Sequence, residues 1–219
     1  MELRDVVPEL VVTTIRERFI TGVADAEANF DDSSSDKDSL TGALGQAIAH
    51  AHPARIQIGD QQYIIRVHYR KVRGRGPGAP ERPFGADGIF QIAVINHDGR
   101  PVWRKGLPFQ SKKNWIGADA NVVTQARKMI ETAGTGLVID YSENGYTACP
   151  AGTVIERGGR ARELRQAHQL RLLGQVLGND YLECRIGREG LYFDSDTEAF
   201  EFEQPFQFIE TVVQRSGAA

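Results

Sequence analysis

The stretch GIFQIAVINHDGRPVWRKGLPFQSKK, residues 88–113, decides the fold. Its first eight residues are almost all apolar, which predicts a buried strand. The following HDG, residues 97–99, is a hairpin turn signal, so residues 101–113 are expected to form the partner strand. That second strand ends in Gln110 and Lys112, which occupy alternate positions and therefore project from the same strand face.

The hairpin predicts a cluster of polar side chains at its open end. A hairpin that turns at residues 97–99 places Asp87, just before the first strand, opposite about residue 109. Asp87, Gln110 and Lys112 are therefore expected to converge, although more than twenty residues separate the aspartate from the other two. This expectation depends on the register, because a slip by one residue moves every side chain to the other face.

The remaining elements follow from periodicity and turn residues. The predicted elements up to residue 141 are helices over 8–30, 40–50 and 118–132, two strands within 55–72 and a buried strand over 136–141. Further along, a helix is expected near 160–173, one or two strands within 181–193, and a final amphipathic segment over 204–215. We interpret that last segment as a core helix or strand, with an intermolecular interface as the alternative. The order of elements predicts an α/β fold with a central mixed sheet flanked by helices.

Composition limits the classes of function. The chain has 219 residues, 41% hydrophobic and 25% charged, which is typical of a globular protein. A net charge of −3 argues against a strongly basic nucleic-acid binder, although YRKVRGRG, residues 69–76, is a local basic patch. Two cysteines do not make a metal set. Without an apolar run of the length of a bilayer or a basic-then-apolar leader, the expected location is the cytoplasm, with no membrane partner.

The cluster at the hairpin end suits a hard divalent cation. The Asp87 carboxylate, the Gln110 amide oxygen and the Ser111 backbone carbonyl are oxygen donors of the kind that Mg²⁺ prefers, and Mn²⁺ accepts the same set. Lys112 beside such a metal is expected to orient or activate a water, or to stabilise developing negative charge. These parts suffice for hydrolysis of a phosphodiester bond.

The order of an aspartate, a hairpin, Q-x-K, a helix and a buried strand resembles the PD-(D/E)xK nuclease superfamily. Gln110 in place of the second acid resembles its QxK, Mrr-type restriction endonuclease branch. The resemblance spans residues 36–141. It implies a restriction-endonuclease-like α-β-β-β-α-β core within residues 1–145, which include the N-terminal helix, and a C-terminal extension, residues 146–219, packed on the same domain. The implied activity is a Mg²⁺-dependent endonuclease acting on DNA in bacterial restriction or anti-phage defence.

The resemblance also implies the outer residues of the site. An acid on the first core helix often completes the metal site in this superfamily, and Asp38 is the candidate here, with Asp36 second. The usual glutamate is absent from the helix body, and Ala86 stands where a proline is usual. Nucleic-acid contacts are expected from Arg73, Arg75 and Lys113. A homodimer or partner defence proteins complete the implied setting.

Two other interpretations stay open. One is a catalytically inactive nuclease fold that serves as a binding or scaffold module, which the amide in place of an acid favours. The other is an unrelated α+β sensor domain in which the hairpin is structural. In that case Asp87 is a turn-forming residue, Gln110 is a satisfied strand residue, and Lys112 extends its stem along a strand end.

Overall fold

The structure is a computed structural model that describes residues 1–33, 35–49, 52–71, 85–193 and 207–216. In these ranges the strands are β1 Ala54–Ile58, β2 Gln61–Lys71, β3 Gly88–Ile95, β4 Pro101–Lys113, β5 Leu137–Ser142, β6 Gly145–Pro150, β7 Arg171–Leu172, β8 Arg188–Glu189 and β9 Gln207–Ser216. The helices are α1 Glu9–Ala28, α2 Phe30–Ser33, α3 Lys37–Ile48, α4 Ala120–Ala133, α5 Ala151–Glu156, α6 Ala161–Gln166 and α7 Leu173–Gln175, with a 3-10 turn over Leu3–Asp5 and a π-helix over Val176–Tyr181.

All of these strands belong to one open sheet. Its order is β1-β2-β9-β3-β4-β5-β6-β7, and β8 pairs with β4 outside that path. The β3–β4 pair is antiparallel and the β4–β5 pair is parallel. β9 runs parallel to β3 and antiparallel to β2. Helices pack on both faces, with α1 and α3 on one side and α4 to α6 on the other. The predicted α/β class with a mixed central sheet is therefore confirmed.

The β3–β4 hairpin has the predicted form with a register one residue away from the simple expectation. Gly88 pairs with Phe109, so Asp87 falls opposite Gln110 rather than residue 109. The shift arises at an irregularity between Val94 and Ile95, next to the turn. Register in the rest of the hairpin is unbroken, and this fixes which side chains meet at its open end.

The last described strand lies in the middle of the sheet. β9 is hydrogen-bonded to β2 on one side and β3 on the other. Phe208, Ile209 and Val213 on this strand are buried, and they face both sides of the sheet. The segment expected over 204–215 is thus a strand from residue 207. Residues beyond 145 pair with strands before it, since β6 also pairs with β5.

The helix expected near 160–173 is shorter in the structure. α6 ends at Gln166 because His168 adopts a left-handed backbone conformation, with φ of 53°. The N–H of Gln169 then bonds to the carbonyl of Leu164, which closes the helix in the manner of a Schellman motif. The strands expected within 181–193 reduce to the two residues of β8.

Helix α3 packs against the sheet at unusually short range. A Cβ added to Gly45 would lie 2.2 Å from a ring carbon of Tyr69 on β2, and one added to Gly22 would lie 2.8 Å from the backbone of Ile48. Glycine therefore lets α1, α3 and β2 approach closely. Among the residues that the structure describes, no helix is long and apolar enough to cross a bilayer.

Candidate metal and nucleic-acid site

Asp87 is the centre of the cluster at the open end of the β3–β4 hairpin. Its carboxylate is 2% exposed, and its Oδ2 accepts hydrogen bonds from the Ser111 backbone N–H at 2.9 Å and the Ser111 hydroxyl at 2.7 Å. Ser111 lies past the last backbone pair of β3 and β4. Its N–H therefore donates to the Asp87 carboxylate instead of to a backbone carbonyl of the neighbouring strand. The aspartate therefore ends the strand pairing as well as offering an anion.

Gln110 meets Asp87 as the hairpin predicts, but through its amide nitrogen. Nε2 donates to Oδ2 of Asp87 at 2.6 Å and to the backbone carbonyl of Ser111 at 3.2 Å. The NH₂ group of Gln110 therefore faces both the Asp87 carboxylate and the Ser111 carbonyl, which are two of the oxygens expected to bind the metal. Gln110 and the Ser111 carbonyl would act as oxygen ligands only after the amide turns over.

Lys37 is a member of the cluster that the sequence interpretation missed. Its ammonium lies 2.9 Å from Oδ1 and 2.7 Å from Oδ2 of Asp87. The lysine is the first residue of α3, whose N-cap is Asp36. The start of this helix was expected to contribute an acid to the site. The one signal in the sequence that could have identified Lys37 was its position between two aspartates.

The two acids at the start of α3 have other contacts. Asp36 accepts the backbone N–H of Ser39 at 2.8 Å, and this bond holds the pKa of Asp36 below its usual value. Asp38 Oδ2 lies 4.0 Å from the ammonium of Lys71, with both side chains well exposed. The contacts found for Asp36 and Asp38 are therefore with Ser39 and Lys71, and the metal-ligand role expected of Asp38 stays a prediction. Their positions one residue before and after Lys37 point them away from it on the helix surface.

Lys112 also has a different partner from the expected one. Its ammonium lies 2.7 Å from Oδ2 of Asp119, the N-cap of α4, and none of the ion pairs in the described ranges joins it to Asp87. Burial raises the pKa of Asp119, but the hydrogen bonds from Lys112 and from the N–H groups of Val122 and Asn121 outweigh it and hold that pKa low. Lys112 therefore stands on the α4 side of the sheet, next to the cluster.

The loop from β4 to α4 forms an open cleft of about 390 Å³ beside this ion pair. Lys112, Lys113 and Asp119 line it, together with the exposed Ile116. Lys113, a predicted nucleic-acid contact, thus borders a cleft that begins at the hairpin end. Arg73 and Arg75 lie outside the described residues.

A row of cations runs along one face of β2. Arg66, His68 and Arg70 alternate with buried or half-buried residues, and they pair in register with Val212, Glu210 and Phe208 of β9. Arg66 donates to the side-chain oxygen of Gln214 at 2.9 Å, and Arg70 lies 4.0 Å from Glu210. We call Arg66 and Arg70 the β2 cation row. It reaches the same end of the sheet as Asp87.

A buried layer of polar side chains lies beneath the cluster, between α3 and the sheet. Thr41 Oγ1 donates to the backbone carbonyl of Lys37 at 2.9 Å, and it lies 3.4 Å from the Ser111 hydroxyl and 3.2 Å from the hydroxyl of Tyr141. Burial raises the pKa of Tyr141, so this phenol stays neutral. The layer fixes the start of α3 and the end of β4 relative to each other.

The donor set fits a hard cation on two conditions. Among the described residues, no group of three or more His, Cys, Asp or Glu side chains converges in a way that could hold a metal. Asp87 nevertheless binds a cation with both oxygens, because the Lys37 ammonium stands on them. The Ser111 hydroxyl and the Gln110 side-chain amide contact the same carboxylate, and Mg²⁺ often uses one or two carboxylates plus water and phosphate oxygens. The fit requires that Lys37 move aside and that the Gln110 amide turn over.

No protein-family model, no curated protein and no solved structure matches the chain.

Proposed function

We propose that this protein is a Mg²⁺- or Mn²⁺-dependent nuclease that hydrolyses phosphodiester bonds, with DNA as the substrate. The observation that carries the proposal is the convergence of Asp87, Gln110 and Ser111 at one end of the β3–β4 hairpin. A buried carboxylate at which amide and hydroxyl groups converge is a suitable first ligand for a metal.

The order and direction of the elements support the nuclease interpretation. Helix α3, strands β2, β3 and β4, helix α4 and strand β5 occur in the order of the α-β-β-β-α-β core, with β1 as an additional strand between α3 and β2. The antiparallel β3–β4 pair and the parallel β4–β5 pair have the relative directions that this core requires. The insertion of β9 between β2 and β3 is a departure from a simple core sheet.

In this proposal each residue has a separate task. Asp87, Gln110 and Ser111 hold the metal, which supplies Lewis-acid polarisation of the phosphate and an activated water when bound. Lys112, at the mouth of the cleft, exchanges its Asp119 partner for a substrate phosphate and stabilises negative charge there. Lys113, on the same cleft, contacts a neighbouring phosphate.

The β2 cation row supports a nucleic-acid substrate. Phosphates of a duplex release counterions when lysine and arginine side chains neutralise them, and this supplies much of the affinity. Arg66 and Arg70 present their charges on one sheet face that ends beside the cluster. By analogy with the superfamily, we propose a role in bacterial restriction or anti-phage defence, alone, as a homodimer, or with partner defence proteins.

A second candidate is a nucleic-acid-binding module of the same fold without catalysis. The contact of Lys37 with both oxygens of Asp87 favours it, because the ammonium neutralises the carboxylate that would hold the metal. In that case the β2 cation row still binds nucleic acid, but no bond is cut.

A nicking assay separates the two candidates. Supercoiled plasmid is incubated with wild type, Asp87→Asn and Lys112→Met in Mg²⁺ or Mn²⁺, with EDTA as a blank. The matched control is Asp98→Asn, which changes an exposed aspartate at the opposite end of the same hairpin. The nuclease proposal expects nicking by wild type and the control, and a loss of at least about 100-fold in Asp87→Asn and in Lys112→Met. Binding without nicking by wild type supports the second candidate, whereas equal nicking by all four proteins excludes this site.

A further inference from the structure

We propose that Lys37 sets the divalent-ion affinity of the Asp87 site, because its ammonium is the resident cation that Mg²⁺ or Mn²⁺ has to displace. This inference deepens the proposed nuclease function and rests on it. It adds to the site a positioning residue on α3 that acts through Asp87.

The contact geometry places Lys37 where a metal would bind. Its ammonium lies 2.7 and 2.9 Å from the two oxygens of one carboxylate, an arrangement that a single cation makes with a bidentate ligand. The carboxylate is buried, and a buried anion is costly unless it is paired. The ammonium therefore provides charge that a divalent ion would otherwise provide.

The side chain of Lys37 can leave this position without a change in the backbone of α3. Its side chain is 38% exposed, whereas that of Asp87 is 2% exposed, so the lysine has a route to solvent. The backbone of Lys37 is held independently of its side chain. Asp36 caps the helix through the N–H of Ser39, and Thr41 Oγ1 bonds to the Lys37 carbonyl. The ammonium can swing out while the first turn of α3 stays in place.

Removing the ammonium should leave less positive charge at Asp87. Hydrogen bonds from Gln110 and Ser111 remain on the carboxylate, but these donors are neutral. A divalent ion would then enter without competing with the lysine for the same two oxygens. Coulomb energies at this separation are large enough that roughly a tenfold or greater gain in affinity is expected.

The test measures Mn²⁺ binding by titration calorimetry and by the electron paramagnetic resonance signal of free Mn²⁺, with no nucleic acid present. The proteins are wild type, Lys37→Met and Lys37→Gln, which removes the charge but keeps a hydrogen-bond donor. The matched control is Lys71→Met, because Lys71 is also 38% exposed and pairs with an acid on the same helix turn. Asp87→Asn and the double variant Lys37→Met/Asp87→Asn complete the set.

Both Lys37 variants are expected to bind Mn²⁺ about tenfold more tightly than wild type. Their melting temperatures should also rise more on addition of Mn²⁺, since a ligand that binds the folded state stabilises it. Lys71→Met should behave as wild type, and Asp87→Asn should abolish binding in both backgrounds. Lys37→Gln keeps the test valid if Lys37→Met does not fold.

Two negative outcomes are distinguishable. If Asp87-dependent binding occurs in wild type and is no tighter in either Lys37 variant, the inference about Lys37 is wrong while the proposed metal site stands. If no protein with an intact Asp87 binds Mn²⁺, the proposed metal site fails and the inference fails with it.

Discussion

The amide nitrogen of Gln110 lies 2.6 Å from carboxylate oxygen Oδ2 of Asp87, and it faces this acceptor in the buried end of the hairpin. The contact joins two strands through side chains at the point where their backbone ladder stops. A change of charge at residue 110 should therefore alter the stability of the protein, because the side chain there lies against the Asp87 carboxylate.

Gln110→Glu should destabilise the protein and increase its response to metal. Two buried carboxylates would then lie in contact, so the free energy of unfolding should fall by about 3 kcal/mol without metal. Mn²⁺ should recover most of that loss, because it neutralises both acids. Urea unfolding with and without Mn²⁺ measures both effects. Gln57→Glu, on the exposed face of β1, is the control and should change little. An equal Mn²⁺ response in the two variants would contradict a metal site at residue 110.

Asp119 should make the stability of the protein depend on pH in the acid range. Although burial opposes it, the bonds from Lys112, Val122 and Asn121 leave the folded pKa of Asp119 below the ordinary value of 3.8. A lowered folded pKa means that this carboxylate adds stability above about pH 4 and loses it as the pH falls through the folded value. Asp119→Asn, which keeps a good N-cap, should therefore be about 0.5–1 kcal/mol less stable at pH 7.

The difference between wild type and Asp119→Asn should shrink as the pH falls from 4 to 2.5, and urea unfolding across this range follows it. Asp119→Ala is the companion variant, since it removes the cap as well and should cost about 1 kcal/mol more at every pH. A gap between wild type and Asp119→Asn that is the same at pH 7 and pH 2.5 would show that the ion pair with Lys112 does not contribute.

Gly45→Ala should destabilise the contact of α3 with the sheet. The new methyl would lie 2.2 Å from a ring carbon of Tyr69, whose hydroxyl is tied to Gln207 of β9 at 2.8 Å. The ring or the helix has to move, and overpacking of this kind costs about 1–3 kcal/mol. Gly152→Ala is the matched control. It is also helical but meets nothing within 4 Å, so its stability should stay equal or rise. Calorimetric melting compares them, and equal melting temperatures would exclude tight packing at Gly45.

The β2 cation row should contribute to binding of nucleic acid in a salt-dependent way. Replacing Arg66 and Arg70 by glutamine should weaken binding of a labelled duplex. It should also lower the slope of log K against log salt by about 0.9 for each phosphate that the protein no longer neutralises. Fluorescence anisotropy between 50 and 200 mM salt measures the slope. Arg100→Gln, at the far turn of the hairpin, controls for total charge. If the double variant keeps the slope of Arg100→Gln, nucleic acid does not bind along β2.

Local patterns predicted much of the fold, and long-range pairing set the rest. The helical period of residues 8–30 and the capped start of α4 act within a few residues, so α1 and α4 occur where expected. The insertion of β9 depends on pairing with strands more than a hundred residues away, and its amphipathic pattern does not specify which strands those are. Sequence therefore predicted a strand or helix there, but not its neighbours.

The cluster was predicted in part for the same reason. Asp87, Gln110 and Ser111 belong to one hairpin, whose register is almost fixed by its turn. The partners of the two lysines come from other elements. Lys112 turns to the cap of α4, and Lys37 arrives from a helix 50 residues before Asp87. A search for metal-binding acids at the start of α3 had no reason to select the lysine between them.

The central place of β9 has a consequence for how the chain reaches its native state. During synthesis β2 and β3 leave the ribosome long before residue 207, yet each needs β9 as its neighbour. Until then their edges carry unpaired backbone groups, the condition that favours wrong strand pairing between chains. Contacts over such sequence separations also form slowly. The nascent protein therefore passes through an interval in which β2 and β3 lack the strand that joins them. The insertion of residues 207–216 between these two strands is expected to be a late step of folding.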